Sequence, residues 1–359
     1  MIQLKTYNRK QLQEFISSGD FRKYDFLPIT KQRAESHCKN PNASHEQILL
    51  ILAFYEEKLA GYVGCFPDHF IIDGKEFTYA WLSTLYVSNE FRGKRIPKTL
   101  LKKVFEEYKG RIAITEFTRE AEALYTIMGV FEDVFPKDGK RYYFRTDAAK
   151  MIPEKKPGTK IMSPLFQMAD AAANSLISLK NSTIKKPGFR FEILGEIDTE
   201  SSDFISKFQS RRKADEINLF IKNPWVLESE KKEDQYLFSG FARVFKYFWV
   251  KVYDDNNTLT ACSLLLLRDG YLKIPYLFSK SGTDRFIDFL SYFIVKNKVK
   301  ALTSYQQELN EKIAGSTVFP AIYERDFKRE YLFHKQLLSD LPDNFDPEYQ
   351  DGDGDCMMT

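Results

Sequence analysis

The chain has 359 residues, of which 43% are apolar and 15% aromatic, and it carries 53 Lys+Arg against 50 Asp+Glu. This composition supplies two cores of ordinary domain size and excludes a disordered or fibrous chain. The near-balance of charge excludes general polyanion binding, so any anion site must be a local basic patch.

In chain order, short helices are predicted at 11–18 and 30–37, followed by the loop "CKNPNAS". "QILLILAFY" (47–55) has the branched and aromatic composition of a buried strand. "EEK" turns it into "LAGYVGCF" (59–66), and "DGK" (73–75) leads into the long strand "FTYAWLSTLYV" (77–87). "SNEFRGKRIPKTLLKKVFEEY" (88–108) reads as a strand exit, a basic Arg-Gly turn and an amphipathic helix, with Ile96, Leu100, Leu101 and Val104 on one face. A strand "RIAITEF" (111–117), a helix at 118–131 closed by Gly129, and a strand "GKRYYFRT" (139–146) complete a helix–helix–β–β–β–α–β–α–β unit.

A Pro/Lys/Gly linker (151–160) and an Ala/Leu-rich helix (162–180) follow. "QSRRKADE" (209–216) reads as a solvated basic helix face. Beyond it, "FKYFWVKVY", "TLTACSLLLL", "YLKIPYLF", the helix "DRFIDFLSYFIVKNK" (284–298) and "VKALTSY" (299–305) repeat the order β–β–β–α–β. The end, "DPEYQDGDGDCMMT", has an Asp-x-Asp-x-Asp pattern without the twelfth-position Glu of a calcium loop, and a frayed tail is expected. The expected division is therefore 1–148, a linker with a helix at 149–186, a diverged duplicate at 187–340 and a flexible acidic tail at 341–359.

Cys38, Cys65, Cys262 and Cys356 show no paired spacing, which points to a reducing compartment. His37, His45, His69 and His334 fall outside zinc spacings, so no metal is expected. The opening residues lack the apolar run of a signal peptide, and no apolar run approaches the roughly 20 residues of a membrane span. A cytoplasmic protein with no membrane or nucleic-acid partner is expected; its oligomeric state is open, a homodimer among the arrangements allowed.

The stretches "LAFYEEKLAGYVGCF", "LYVSNEFRGKRIPKTLLKKV" and "EALYTIMGVF" resemble the GNAT (Gcn5-related N-acetyltransferase) superfamily over residues 1–146. The resemblance implies an α/β (α+β) fold, a mixed, mostly antiparallel sheet flanked by helices, with the second half as a tandem GNAT-like domain without cofactor. It implies acetyl-CoA as co-substrate. The pantetheine arm would run along Leu85, Tyr86 and Val87, and the pyrophosphate would sit at Arg92, Gly93, Lys94, Arg95, Ile96 and Lys98. The chemistry agrees: a helix start offers free N–H groups and a positive dipole end, and a glycine lets backbone approach phosphate. Arg95 and Pro97 stand where the family places small residues, and Pro97 removes one N–H donor.

The implied reaction is direct acyl transfer to a primary amine of a small-molecule or peptidyl acceptor. Tyr125 matches the family position that protonates the leaving thiolate, and the N–H of Tyr86 or Val87 would hold the oxyanion. The strand before the turn reads Ser83-Thr84-Leu85, with no carboxylate to serve as base, and Glu116 is the nearest substitute. Two other readings stay open. One is a non-catalytic scaffold with a decayed CoA site; the other is a Fem-like aminoacyl-tRNA-dependent peptidyl transferase, which would need a wider basic channel.

Overall fold

The computed structural model describes residues 1–208, 210–230, 235–343 and 345–358. The chain opens with a strand that the sequence reading missed, β1 (Ile2–Asn8), whose half-buried Ile2, Leu4 and Thr6 alternate with exposed Gln3 and Lys5. Its short period-2 pattern is broken by polar residues, yet it pairs with the next strand from Ile2↔Tyr55 onward. Asn8 then caps α1 (Arg9–Ser17) in a reciprocal box with Gln11. There follow α2 (Lys31–Lys39), β2 (Ile48–Tyr55), β3 (Lys58–Ile72) and β4 (Lys75–Val87). The β3–β4 hairpin turns at Asp73 and Gly74, both at positive φ (50° and 75°), the geometry that suits a tight two-residue loop. Next come α3 (Ile96–Glu107), β5 (Ile112–Thr115), α4 (Arg119–Met128) and β6 (Phe131–Tyr143). Gly129 ends α4 at φ 65°, the C-cap expected of it.

The second half begins with α5 (Ala148–Lys155), α6 (Ser163–Lys180), β7 (Phe191–Leu194), α7 (Thr199–Ile205), α8 (Ala214–Lys222) and two short strands, β8 (Leu227–Glu228) and β9 (Phe241–Ala242). The predicted repeat then appears as β10 (Phe245–Tyr253), β11 (Leu259–Arg268), β12 (Tyr271–Ser279), α9 (Thr283–Lys296) and β13 (Ala301–Ser304). Helix α10 (Gln307–Ala314), β14 (Tyr323–His334) and α11 (Lys335–Ser339) close the regular elements.

Two compact units result: Met1–Lys137 with Gln209–Arg243 and Arg329–Thr359, and Asp138–Phe208 with Val244–Lys328. In the first, β1, β2, β3 and β4 are successive antiparallel neighbours, β5 joins β4 in parallel, and β14 joins β5 antiparallel. The buried Ile96, Leu100, Leu101 and Val104 of α3 pack with Ile51, Val63, Ala80 and Leu82 of the sheet. The second unit repeats this plan: β7, β10, β11 and β12 are antiparallel, β13 joins β12 in parallel, and β6 joins β13 antiparallel. Its α9 buries Phe286, Phe289, Leu290 and Phe293 in that unit's core.

Three expectations need correction. The expected boundaries do not hold: residues 138–148, placed in the first domain, belong to the second unit, and residues 209–243 and 329–340, placed in the duplicate, belong to the first. The acidic end is not a frayed tail in its described residues: Tyr349, Asp351, Asp353, Cys356 and Met357 are buried. "QSRRKADE" is not a solvated helix face either (Gln209 lies outside the described residues). Arg211 and Arg212 are buried before α8 begins, and the corrections at 209–243, 329–340 and the chain end share one cause. Arg212 binds Asp68 at 2.9 Å and Asp353 at 3.2 Å, Arg211 binds Asp68 at 2.7 Å, and Arg329 pairs with Asp351. Charges that look solvated in the sequence neutralise one another inside the fold.

Candidate active site

The third and fourth strands are out of register at one place. Val63 lies opposite Leu85 and Gly64 opposite Ser83, so Thr84 is an extra, bulged residue, at φ 58°. Glycines on β3 make room for it: a Cβ at Gly64 would meet the Ser83 carbonyl oxygen at 2.5 Å, and one at Gly61 the Tyr86 carbonyl oxygen at 2.6 Å. On its other edge, β4 pairs with β5 only at Ala80↔Ile112 and Trp81↔Ala113. Beyond Leu82 the two parallel strands part. Leu85, Tyr86 and Val87 therefore pair with β3 but not with β5.

Directly after Val87 the chain makes a single 3-10 turn (Asn89–Phe91) and reaches the basic loop. Gly93 sits at φ 79° with open space where a Cβ would be, so it is the backbone conformation that calls for glycine. Arg95 is also left-handed, at φ 61°, and it precedes α3 without a side-chain cap. The helix start keeps its first amides uncapped while Arg92, Lys94, Arg95 and Lys98 are all exposed around it. Lys94 lies 5.2 Å from the Tyr55 ring centroid. The side chain of Ile96 points into the core, so only its backbone belongs to this loop. Pro97 occupies the first turn, where its fixed φ suits the helix.

Tyr125 is the buried residue of α4 and shares the core that contains Leu100 and Ala80. Its ring meets Phe117 and Phe131 edge-on, at 6.0 Å and 5.4 Å, and burial pushes its phenol pKa above the ordinary value. Glu116 follows β5 at φ 51°, and its Oε1 accepts a 2.7 Å hydrogen bond from Arg329 Nη2. It is thus tied to a cation that also holds Asp351.

One carboxylate beside the bulge comes from a distant part of the chain. Asp355, from the folded-back end of the chain, accepts a 3.0 Å hydrogen bond from the Ser83 hydroxyl, beside the Thr84 bulge. Arg33 of α2 reaches the same Ser83 oxygen, lies 3.7 Å from Asp355 Oδ2 and donates to the Tyr236 phenol oxygen at 3.3 Å. Its guanidinium stacks on Trp225 at 3.7 Å, which fixes it. Burial raises the Asp355 pKa and the charge of Glu116 adds to this, while Arg33 and the Ser83 hydroxyl oppose it. The end of β4, residues 83–87, which lacks a carboxylate of its own, thus holds one through Ser83. Sequence spacing carries no signal of this, because the partners are 272 residues apart.

The equivalent place in the second unit is different. Strand β12 pairs with β13 from Tyr271↔Ala301 to Lys273↔Thr303, and α9 follows it after a three-residue loop with a single lysine, Lys280. A Cβ at Gly282 would meet Thr260 Oγ1 at 2.6 Å, and Thr283 donates to Glu308 at 2.9 Å. That helix start is packed and acidic, unsuited to phosphate. Among the described residues, two groups have metal-like spacing, Asp68 with His69 and Glu216, and Glu192 with Asp198 and Glu200. Lys251 occupies the one at Glu192, Asp198 and Glu200. Arg211 and Arg212 bind Asp68 in the other, and Arg212 also binds its Glu216. Among the described residues, no helix is long and apolar enough to cross a membrane.

Residues 14–130 match the model of the acetyltransferase (GNAT) family. No curated protein matches the chain. Among solved structures, a probable N-acyltransferase from Enterococcus faecalis V583 is similar at 11% identity, over 94% of this chain and 73% of that one, with a TM-score of 0.52. A tandem GNAT protein from the clavulanic acid biosynthesis pathway is similar at 9% identity, over 93% and 98% of the two chains, with a TM-score of 0.52. A GCN5-related N-acetyltransferase from Anabaena variabilis has 11% identity, 92% and 72% coverage and a TM-score of 0.50. At these identities the likeness is one of fold, and family and fold together support N-acyl transfer as a class of activity. Residues 14–130 are thus the part of the chain that matches the GNAT acetyltransferase family, and the chain's mixed, mostly antiparallel fold is similar to that of a tandem GNAT protein.

Proposed function

We propose that the first unit transfers an acyl group, acetyl in the simplest case, from its CoA thioester directly to a primary amine of a small molecule or peptide. The observation that carries this is the parting of β4 and β5 beyond Leu82, with the Thr84 bulge in the parted stretch, next to an uncapped helix start ringed by four cations. The free edge of Leu85–Val87 suits the amides of a pantetheine arm, which would add to it like a strand. Arg92, Lys94, Arg95, Lys98 and the first amides of α3 suit the pyrophosphate. A thioester so held would lie beside Ser83 and Asp355.

Each residue then has a role. Asp355, ionised with help from Ser83 and Arg33, accepts a proton as the amine attacks the thioester carbonyl. The C–N bond forms, and the oxyanion is held by the N–H of Tyr86 or Val87. As the C–S bond breaks, Tyr125, whose raised pKa keeps its proton in place at neutral pH, protonates the CoA thiolate. Glu116 contributes its field and is less suited to the base role while Arg329 holds it. Titration calorimetry with acetyl-CoA tests the reading: micromolar binding that is lost on Lys94→Glu with Lys98→Glu is expected. No heat and no thermal shift at millimolar acetyl-CoA would instead favour the scaffold reading, which Arg95 and Pro97 support by standing at small-residue positions.

A further inference from the structure

Helix α6, in the second unit, is turned inside out for a water-soluble surface helix. Its polar side chains face the protein: Asp170 accepts from the amides of Ala148 and Ala149 at 3.0 Å and 2.9 Å, and Asn174 makes two 3.0 Å bonds with the Thr146 backbone. Ser178, one turn on, accepts from Arg145 at 3.0 Å. The opposite side of the helix carries Leu165, Met168, Leu176 and Leu179, continued by Ile161 before it. These five side chains are between 58% and 89% exposed. At about 100° per residue their stripe is centred roughly opposite the Asp170–Asn174–Ser178 stripe. The hydrogen bonds therefore fix which face is outward, and that face is apolar over a helix about 27 Å long.

Charge identifies the occupant. Exposed Lys155, Lys156 and Lys160 stand before the helix, and exposed Lys180, Lys185 and Lys186 stand at its end and after it. The one carboxylate in 155–186 is Asp170, which faces inward. A second copy of the chain is a poor partner, because both ends of the stripe are cationic. Parallel or antiparallel pairing would bring lysine clusters together. An anionic lipid surface accepts both features, with apolar side chains entering the headgroup boundary and lysines contacting acidic headgroups. We propose that α6 docks this protein on anionic membrane surfaces by its outward apolar stripe. This sets aside the expectation of no membrane partner, which rested on the lack of a spanning segment; a helix lying in the interface needs none.

The test is cosedimentation of the full chain with phosphatidylcholine vesicles, with and without phosphatidylserine. Binding to the phosphatidylserine vesicles alone, weakened by salt, is expected. Met168→Glu with Leu176→Glu should abolish it, and each of Lys155→Gln, Lys156→Gln and Lys160→Gln should weaken it about fivefold. These positions are exposed, so thermal unfolding should not move; should the glutamate pair unfold the protein, the lysine series decides alone. The proposal is overturned by absence of binding, by equal binding to neutral vesicles, or by binding that survives both sets of variants. It is also overturned if the stripe is found to hold a dimer in sedimentation that Met168→Glu dissolves.

Discussion

Ser83 Oγ lies 3.0 Å from Asp355 Oδ2, so a β4 hydroxyl next to the bulge is joined to a carboxylate from the far end of the chain. Asp355→Asn should lower kcat/KM for amine acylation about a hundredfold or more, with little change in acetyl-CoA affinity. In the wild type, kcat/KM should rise with pH through a group titrating above the ordinary carboxylate value of about 4, as the raised Asp355 pKa requires. Ser83→Ala should move that limb to higher pH, since the hydroxyl stabilises the ionised form. A pH–rate profile unchanged in both variants removes Asp355 from the mechanism.

Gly64→Ala tests the bulge. The new methyl would lie 2.5 Å from the Ser83 carbonyl oxygen, so β4 must shift or straighten. A loss of about 1–3 kcal/mol in urea unfolding is expected, together with weaker acetyl-CoA binding by calorimetry. Full affinity in a destabilised variant would show that the bulge does not shape the cofactor site.

Arg95→Gly separates obstruction from grip. Glycine takes the left-handed φ of 61° at lower strain, so thermal stability should rise by up to about 1 kcal/mol. Acetyl-CoA affinity should change less than tenfold, because three other exposed cations surround the helix start. A larger loss would make Arg95 a principal phosphate ligand.

Asp353→Ala should destabilise the protein by about 3–5 kcal/mol, because it leaves Arg211 and Arg212 short of one buried counter-charge. Denaturant titration of the variant beside Asp355→Asn should place nearly all the stability effect at Asp353 and nearly all the rate effect at Asp355.

Acid stability should report His37. Burial against Trp225 and Phe66 lowers its pKa from 6.5 to about 3. Its folded-state pKa lies below the unfolded one, so the unfolded chain binds the proton first. Its contribution to stability is full above about pH 6.5 and is lost as pH falls towards 3, by at most about 5 kcal/mol. His37→Phe should flatten the stability profile in that window, and an unchanged profile would assign acid sensitivity to other groups.

Several features were legible because they are local. The branched composition of β2, the Asp-Gly turn before β4, the apolar face of α3 and the Gly129 cap each follow from residues close in sequence. Strand β1 was missed although its alternation is present, because polar Gln3 and Lys5 dilute a short signal. The acid-rich end and Arg211–Arg212 misled for a different reason: isolated charges in a sequence read as solvated, and only their pairing with Asp68 and one another makes burial favourable.

The sequence by itself determined the repeated β–β–β–α–β order and the basic turn at the start of α3, since periodicity, turn residues and helix ends act over a few residues. Tertiary structure alone decided which carboxylate stands at β4 and which face of α6 meets solvent. Both depend on contacts between distant segments: Asp355 is carried to Ser83 by a tail anchored through Arg329 and Arg212, and α6 is oriented by the backbone amides that Asp170 and Asn174 hold.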